Sequence, residues 1–198
     1  MESLPDKISF SQYRSWSGDE RWEILDGKPY AMTAPSTLHQ QISMGLGSAL
    51  NLHFRGRTCR VFAAPTDVRL SEHDVAQPDL MVVCDKAQIQ EGHIDGPPTL
   101  VAEILSPSSL RHDRIRKSRL YAACGVKEYW IVNPSPAMVE VYLLDGQTYR
   151  LQAGYTEKDT LLSPTFPDLA VELAEVFPDE EVDEVRESAA PPYLESRA

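Results

Sequence analysis

The chain has 198 residues, 42% of them hydrophobic, which is enough for one α/β domain with a full core and too few for two ordinary domains. Its formal net charge of -11 excludes a sequence-independent coat for nucleic acid, because such binding needs basic charge, although five basic residues fall within 111–119. No apolar run approaches the roughly 20 residues that span a bilayer, and MESLPDKISF lacks the basic-then-apolar layout of a signal peptide. Cys59, Cys84 and Cys124 are odd in number and lack paired spacing, so free thiols and a cytoplasmic, reducing location are expected, with no membrane contact.

In chain order, residues 9–16 read as a short helix capped by Ser9, and residues 21–32 as a hairpin around Asp26-Gly27. Glu23 stands between Trp22 and Ile24, and alternation puts it on the opposite, solvent face. Ser36 caps a core helix running to about Phe54, with Gly45 and Gly47 allowing close packing. His39, near its first turn, reads as a structural hydrogen-bonder. Residues 61–70 and 75–84 read as two strands joined by the polar turn 71–74. Asp79 lies just inside an otherwise apolar strand, whereas Asp67, two residues before Arg69, is expected to face water.

After an irregular loop over 86–98 comes the most informative stretch. Residues 99–105 are apolar except for Glu103 and read as a strand buried on both faces. A carboxylate there must be paired, hydrogen-bonded or bound to a metal, or else protonated. The plain alternative is an ion pair with one of the arginines that follow. Ser106-Pro107-Ser108-Ser109 offers a helix start and Gly125 a helix end. On that helix Asp113, Lys117 and Tyr121 recur at four-residue steps and share a face, with Arg114 alongside, while most of the basic residues form a solvated face. A strand over 126–132, a hairpin over 138–151 and a short strand with a turn within 161–173 follow. The acidic stretch 178–198 reads as a mobile tail, leaving 1–177 as a single domain.

Two carboxylates on adjacent apolar strands, Asp79 and Glu103, with a lysine nearby, are what metal-assisted phosphodiester cleavage requires: hard oxygens suit Mg²⁺ or Mn²⁺, and an ammonium stabilises charge developing on phosphate. The ordered motifs Trp22-Glu-Ile-Leu-Asp-Gly27, Pro35 with His39, Gln77-Pro-Asp79, Val101-Ala-Glu-Ile-Leu-Ser-Pro107, Asp113 with Lys117, and Tyr121 through Val132 resemble the Uma family of endonucleases, a branch of the PD-(D/E)XK superfamily, over residues 8–175. The resemblance implies an α/β, restriction-endonuclease-like core, a central mixed β-sheet flanked by helices, with N-terminal and C-terminal hairpins. It makes Asp79 and Glu103 the metal-binding acids, with the carbonyl of Ile104 as a further ligand. The signature lysine would fall at Leu105, and Lys117 on the following helix takes its place, with Asp113 to direct it. Glu23 becomes a catalytic assistant, His39 and Tyr121 orient substrate, and Arg111 and Arg114 contact its backbone.

The expected function is therefore Mg²⁺-dependent cleavage of DNA, with Mn²⁺ as a possible substitute and a homodimer for cutting both strands. The alternative is a catalytically silent nuclease-fold protein with an interaction or regulatory role.

Overall fold

The computed structural model describes residues 7–18, 20–106 and 112–178, with 112–114 as backbone only; the expected tail and the Ser-Pro helix start at 107–109 lie outside the described residues. Helix α1 (Phe10–Tyr13) opens on a capping box: Ser9 Oγ accepts the Gln12 N–H and Gln12 Oε1 accepts the Ser9 N–H. Strands β1 (Trp22–Leu25) and β2 (Lys28–Ala31) form the expected hairpin. Asp26 and Gly27 both have positive φ, 53° and 73°, as a two-residue turn of this hand requires, and a Cβ on Gly27 would lie 2.6 Å from Lys7 Cβ.

Helix α2 (Thr37–Phe54) is capped by Ser36, whose side chain accepts the His39 N–H. Then come β3 (Arg60–Ala63), β4 (Asp67–Ser71), β5 (Asp74–Ala76), β6 (Leu80–Val83), β7 (Ile89–Gln90), β8 (His93–Asp95) and β9 (Leu100–Ile104). A π-helical turn (His112–Lys117) leads into α3 (Ser118–Cys124), which ends on left-handed Gly125, so the helix read from sequence is here two geometries in succession. The chain continues through β10 (Glu128–Pro134), β11 (Ala137–Asp145), β12 (Thr148–Thr156), β13 (Thr160–Leu162) and β14 (Ala170–Glu172).

Two six-stranded sheets result, in the orders β2-β1-β5-β4-β8-β7 and β12-β11-β10-β9-β6-β3, with β13-β14 as a small third. Both large sheets are mixed: β9 and β10 run parallel, as do β4 and β8, and the other neighbours antiparallel. The two runs read as one hairpin are split between the sheets. β3 pairs with β6 in one, β4 with β5 in the other, and the break falls at Pro65 and Pro78, which have no N–H to continue a ladder.

Ile42, Leu46, Leu50 and Phe54 of α2 pack on one face of β6 and β9, against Leu80, Val82, Leu100, Ala102 and Ile104. The other face carries Met81, Val83 and Val101, which meet Val68 and Ala76 of the first sheet and Tyr121 of α3. Both faces are thus covered, which is why these strands are apolar throughout. α2 approaches closely where expected: a Cβ on Gly47 would lie 3.1 Å from Leu80 Cδ2, and one on Gly45 3.1 Å from Val176 Cα.

The expectation of three free thiols is corrected. Cys59 and Cys84 form a disulfide, and Cys124 is the free cysteine among the described residues. The β3–β6 register pairs Arg60 with Val83, and one step outward Cys59 faces Cys84 across the ladder with Cα atoms 3.9 Å apart. Cysteine usage therefore gives no support to a reducing compartment. No helix among the described residues is long and apolar enough to cross a membrane.

Candidate active site

Glu103 is the fourth residue of β9, on the face turned toward the first sheet and α3, and is 2% exposed. Its Oε1 accepts from Lys117 Nζ at 3.0 Å and from the Tyr121 hydroxyl at 2.6 Å. The four-residue spacing of Lys117 and Tyr121 thus does bring both onto Glu103. Burial, and after it the Glu103 charge, raises the Tyr121 phenol well above its ordinary value, so the hydroxyl keeps its proton and donates.

Glu23 corrects the alternation reading. It is 6% exposed, because the face of β1 that carries it is covered, and its Oε1 accepts from the Gln77 main-chain N–H at 2.9 Å and lies 2.9 Å from Lys117 Nζ. The lysine, 4% exposed, therefore bridges carboxylates from the two large sheets. Burying one charge without partners would be prohibitive; here the ammonium is distributed over two acids.

Asp79 precedes β6. The β6–β9 ladder pairs Leu80 with Ala102, and one more step brings Asp79 opposite Glu103, so the two acids, 24 residues apart in sequence, are cross-strand neighbours on one face. Main-chain pairing stops there because Asp79 Oδ2 itself takes the Ile104 N–H at 2.8 Å. The same oxygen lies 3.2 Å from His39 Nε2, so His39 acts as the structural partner expected of it, on an acid of the site. Asp79 Oδ1 takes no hydrogen bond from any described residue.

Glu23, His39, Asp79, Glu103 and Lys117 line a cleft of ≈ 690 Å³ whose walls include Tyr30, Pro35 and Asn133. Among the described residues no group of three or more His, Cys, Asp or Glu converges as a metal cage. Two adjacent carboxylates nevertheless fit a hard divalent cation that keeps most of its waters and takes one or two protein carboxylates, as Mg²⁺ does.

Arg111 lies outside the described residues, and only the backbone of Asp113 and Arg114 is described. Arg116 is exposed, as the basic-face reading expected, and its guanidinium sits 5.1 Å from the Tyr30 ring centroid and bonds the Tyr30 hydroxyl. Two residues escaped the sequence reading. Gln77, read only as part of a motif, is 5% exposed and joins the site through its main chain and side chain, and Arg21 lines the cleft with its Nε 2.9 Å from Gln77 Oε1. Asp67, expected to face water, is half-buried and accepts from Gln77 Nε2 and the Tyr13 hydroxyl. A polar residue preceding a proline gives no hint of such reach.

Comparison with known proteins adds an independent line. The chain is 29% identical over 159 residues to an uncharacterised protein of Synechocystis sp., across 78% of this chain and 84% of that one. It is similar to the crystal structure of a "putative nuclease belonging to DUF820" from Anabaena variabilis, with a TM-score of 0.69 and 19% identity, covering 86% of this chain and 97% of the other. That likeness concerns the fold, which is restriction-endonuclease-like. The family model described as "Uma2: Putative restriction endonuclease" matches residues 10–174, and the chain belongs to the Uma2 family.

Proposed function

We propose that the protein is a metal-dependent endonuclease that hydrolyses phosphodiester bonds of DNA. The observation that carries this reading is the ladder position of Asp79 opposite Glu103, with Lys117 Nζ 3.0 Å from Glu103. Asp79 and Glu103 would hold Mg²⁺, or Mn²⁺ in its place, with the Ile104 carbonyl as a further oxygen. A bound ion of this kind supplies Lewis acidity toward phosphate and water.

The remaining steps belong to the chain's own side chains. Lys117 stabilises negative charge on the attacked phosphate, and Glu23, 2.9 Å from its Nζ, directs that ammonium. Tyr121 holds the Glu103 carboxylate in one orientation through a proton it does not readily lose. His39 does the same for Asp79. Arg111 and Arg114 contact the substrate backbone, and two copies related by a two-fold axis cut the two strands.

The test is cleavage of supercoiled plasmid and of single-stranded DNA with Mg²⁺, with Mn²⁺ and with chelator, by the wild type and by Asp79→Ala and Glu103→Ala. Metal-dependent cutting that both substitutions abolish supports the reading. Folded wild type that cuts nothing, or variants that cut as well as wild type, would leave the silent nuclease-fold protein as the better account. Sedimentation showing only monomer at working concentration would remove the dimer.

A further inference from the structure

Arg21 and Glu23 stand on the same face of the first hairpin, two residues apart, and both line the cleft. The hydrogen bond from Met32 N–H to Arg21 carbonyl extends the β1–β2 ladder to this position and fixes that alternation. A chain of hydrogen bonds then immobilises the arginine. Its Nε donates to Gln77 Oε1 at 2.9 Å, Gln77 Nε2 donates to Asp67 Oδ1 at 2.8 Å, and the Tyr13 hydroxyl donates to the same oxygen at 3.2 Å.

The direction of this chain is unambiguous. A guanidinium only donates and a carboxylate only accepts, so the Gln77 amide must turn its oxygen to Arg21 and its nitrogen to Asp67. Burial and the Asp67 charge push the Tyr13 phenol up to about 12, which keeps its hydroxyl a donor. Gln77 also gives its main-chain N–H to Glu23, so one 5%-exposed residue fixes both the acid and the base on this wall. With Nε engaged, the two terminal nitrogens of Arg21 take no hydrogen-bond partner among the described residues. A fork of two parallel N–H donors is the group best matched to two oxygens of a phosphate, and holding it by Nε removes much of the side-chain entropy such binding costs.

We propose that Arg21 binds a phosphate of the substrate strand inside the cleft and that Gln77 is the residue that positions it. The inference rests on the nuclease reading and extends it, since it assigns a substrate contact to the N-terminal hairpin in addition to the basic stretch.

The test is binding of a fluorescently labelled DNA duplex in Ca²⁺, measured by anisotropy across a series of KCl concentrations, alongside plasmid cleavage in Mg²⁺. Arg21→Gln should weaken binding about tenfold and reduce the slope of log affinity against log salt by about 1, the signature of one lost phosphate contact. Gln77→Met leaves the charge unchanged, so a purely structural role would leave the slope alone, whereas release of Arg21 lowers it. Arg21→Lys, which keeps the charge and loses the fork, should fall between, and it decides the matter if Arg21→Gln fails to fold by its thermal melt. Wild type that binds and cuts, with folded Arg21 variants matching it in affinity and slope, overturns the inference and leaves the nuclease reading intact. A normal slope in Gln77→Met overturns the positioning role. Wild type that neither binds nor cuts overturns the nuclease reading and this inference with it.

Discussion

Two glutamates on the neighbouring strands β9 and β10 are equally hidden and differently used. Glu103 is 2% exposed and Glu128 0%. Glu128 sits at the opposite end of the parallel pair, opposite Leu100, and shares the α2-side face with Trp130. Its Oε1 accepts from the Trp130 indole at 2.6 Å, and its Oε2 from Ser163 Oγ at 2.8 Å and the Thr165 N–H at 2.9 Å. All three donors are neutral and none titrates in the ordinary range. Glu103 faces the other way, into the cleft, and its partners are an ammonium and a phenol. Burial of a carboxylate therefore does not mark a site by itself. What distinguishes Glu103 is charged, titratable company and an open cleft beside it.

The sharpest way to break this contrast is to neutralise both acids. Glu103→Gln is expected to lower cleavage by roughly a thousandfold, about 4 kcal/mol in the barrier, while Lys117 retains Glu23 as a partner. Steady-state plasmid nicking measures it. Glu128→Ala is expected to do the reverse. It strands three interior donors, at a cost of about 3 kcal/mol, or a fall of roughly 10 °C in Tm for a chain of this length. Its cleavage per folded molecule should match wild type. Calorimetry and the same nicking assay check both halves, and a Glu128 variant that folds normally but no longer cuts would erase the distinction.

How much of this was legible in the sequence follows from what each element depends on. The lone acid in an apolar run exposed Glu103, and helical periodicity aligned Lys117 with Tyr121, because both are local properties of the chain. The Asp26-Gly27 turn and the Ser9 and Ser36 caps were local in the same sense. The rest was not. The Cys59–Cys84 bond depends on pairing between strands that others separate in sequence, which no window of sequence records, and while Asp79 and Glu103 were expected on adjacent strands, their direct opposition depends on the same kind of pairing. The burial of Glu23 depends on what covers its face, and alternation assumes that one face meets water. Glu128 escaped notice because it was read only as part of the strand over 126–132, and its donors Ser163 and Thr165 lie far along the chain. Gln77 escaped because its role lies in a buried side-chain and main-chain network, invisible to composition.

Alkaline pH gives a subtler separation of the two regions. Tyr121, the phenol on Glu103, has its folded pKa raised well above 10.0 by burial and then by the Glu103 charge, whereas an unfolded tyrosine titrates near 10.0. A group whose folded pKa lies above its unfolded value contributes stability that is complete below the unfolded pKa and is lost as pH rises toward the folded one. Between pH 10 and the folded value, wild type should lose at most about 1.4 kcal/mol per pH unit through this one phenol. Tyr13, pushed up to about 12 first by burial and then by Asp67, adds a smaller loss of the same sign, so the quantity to read is the difference between wild type and Tyr121→Phe in denaturant melts at several pH values. That difference should shrink as pH rises above 10, because the phenylalanine variant has nothing there to ionise, and it should be the same in a Glu128→Gln background, where the donors do not titrate. A wild-type and a Tyr121→Phe protein that lose stability in parallel would mean that Glu103 and Glu128 are held by equally inert partners. The acid at the cleft would then differ from the acid in the core only in what it faces.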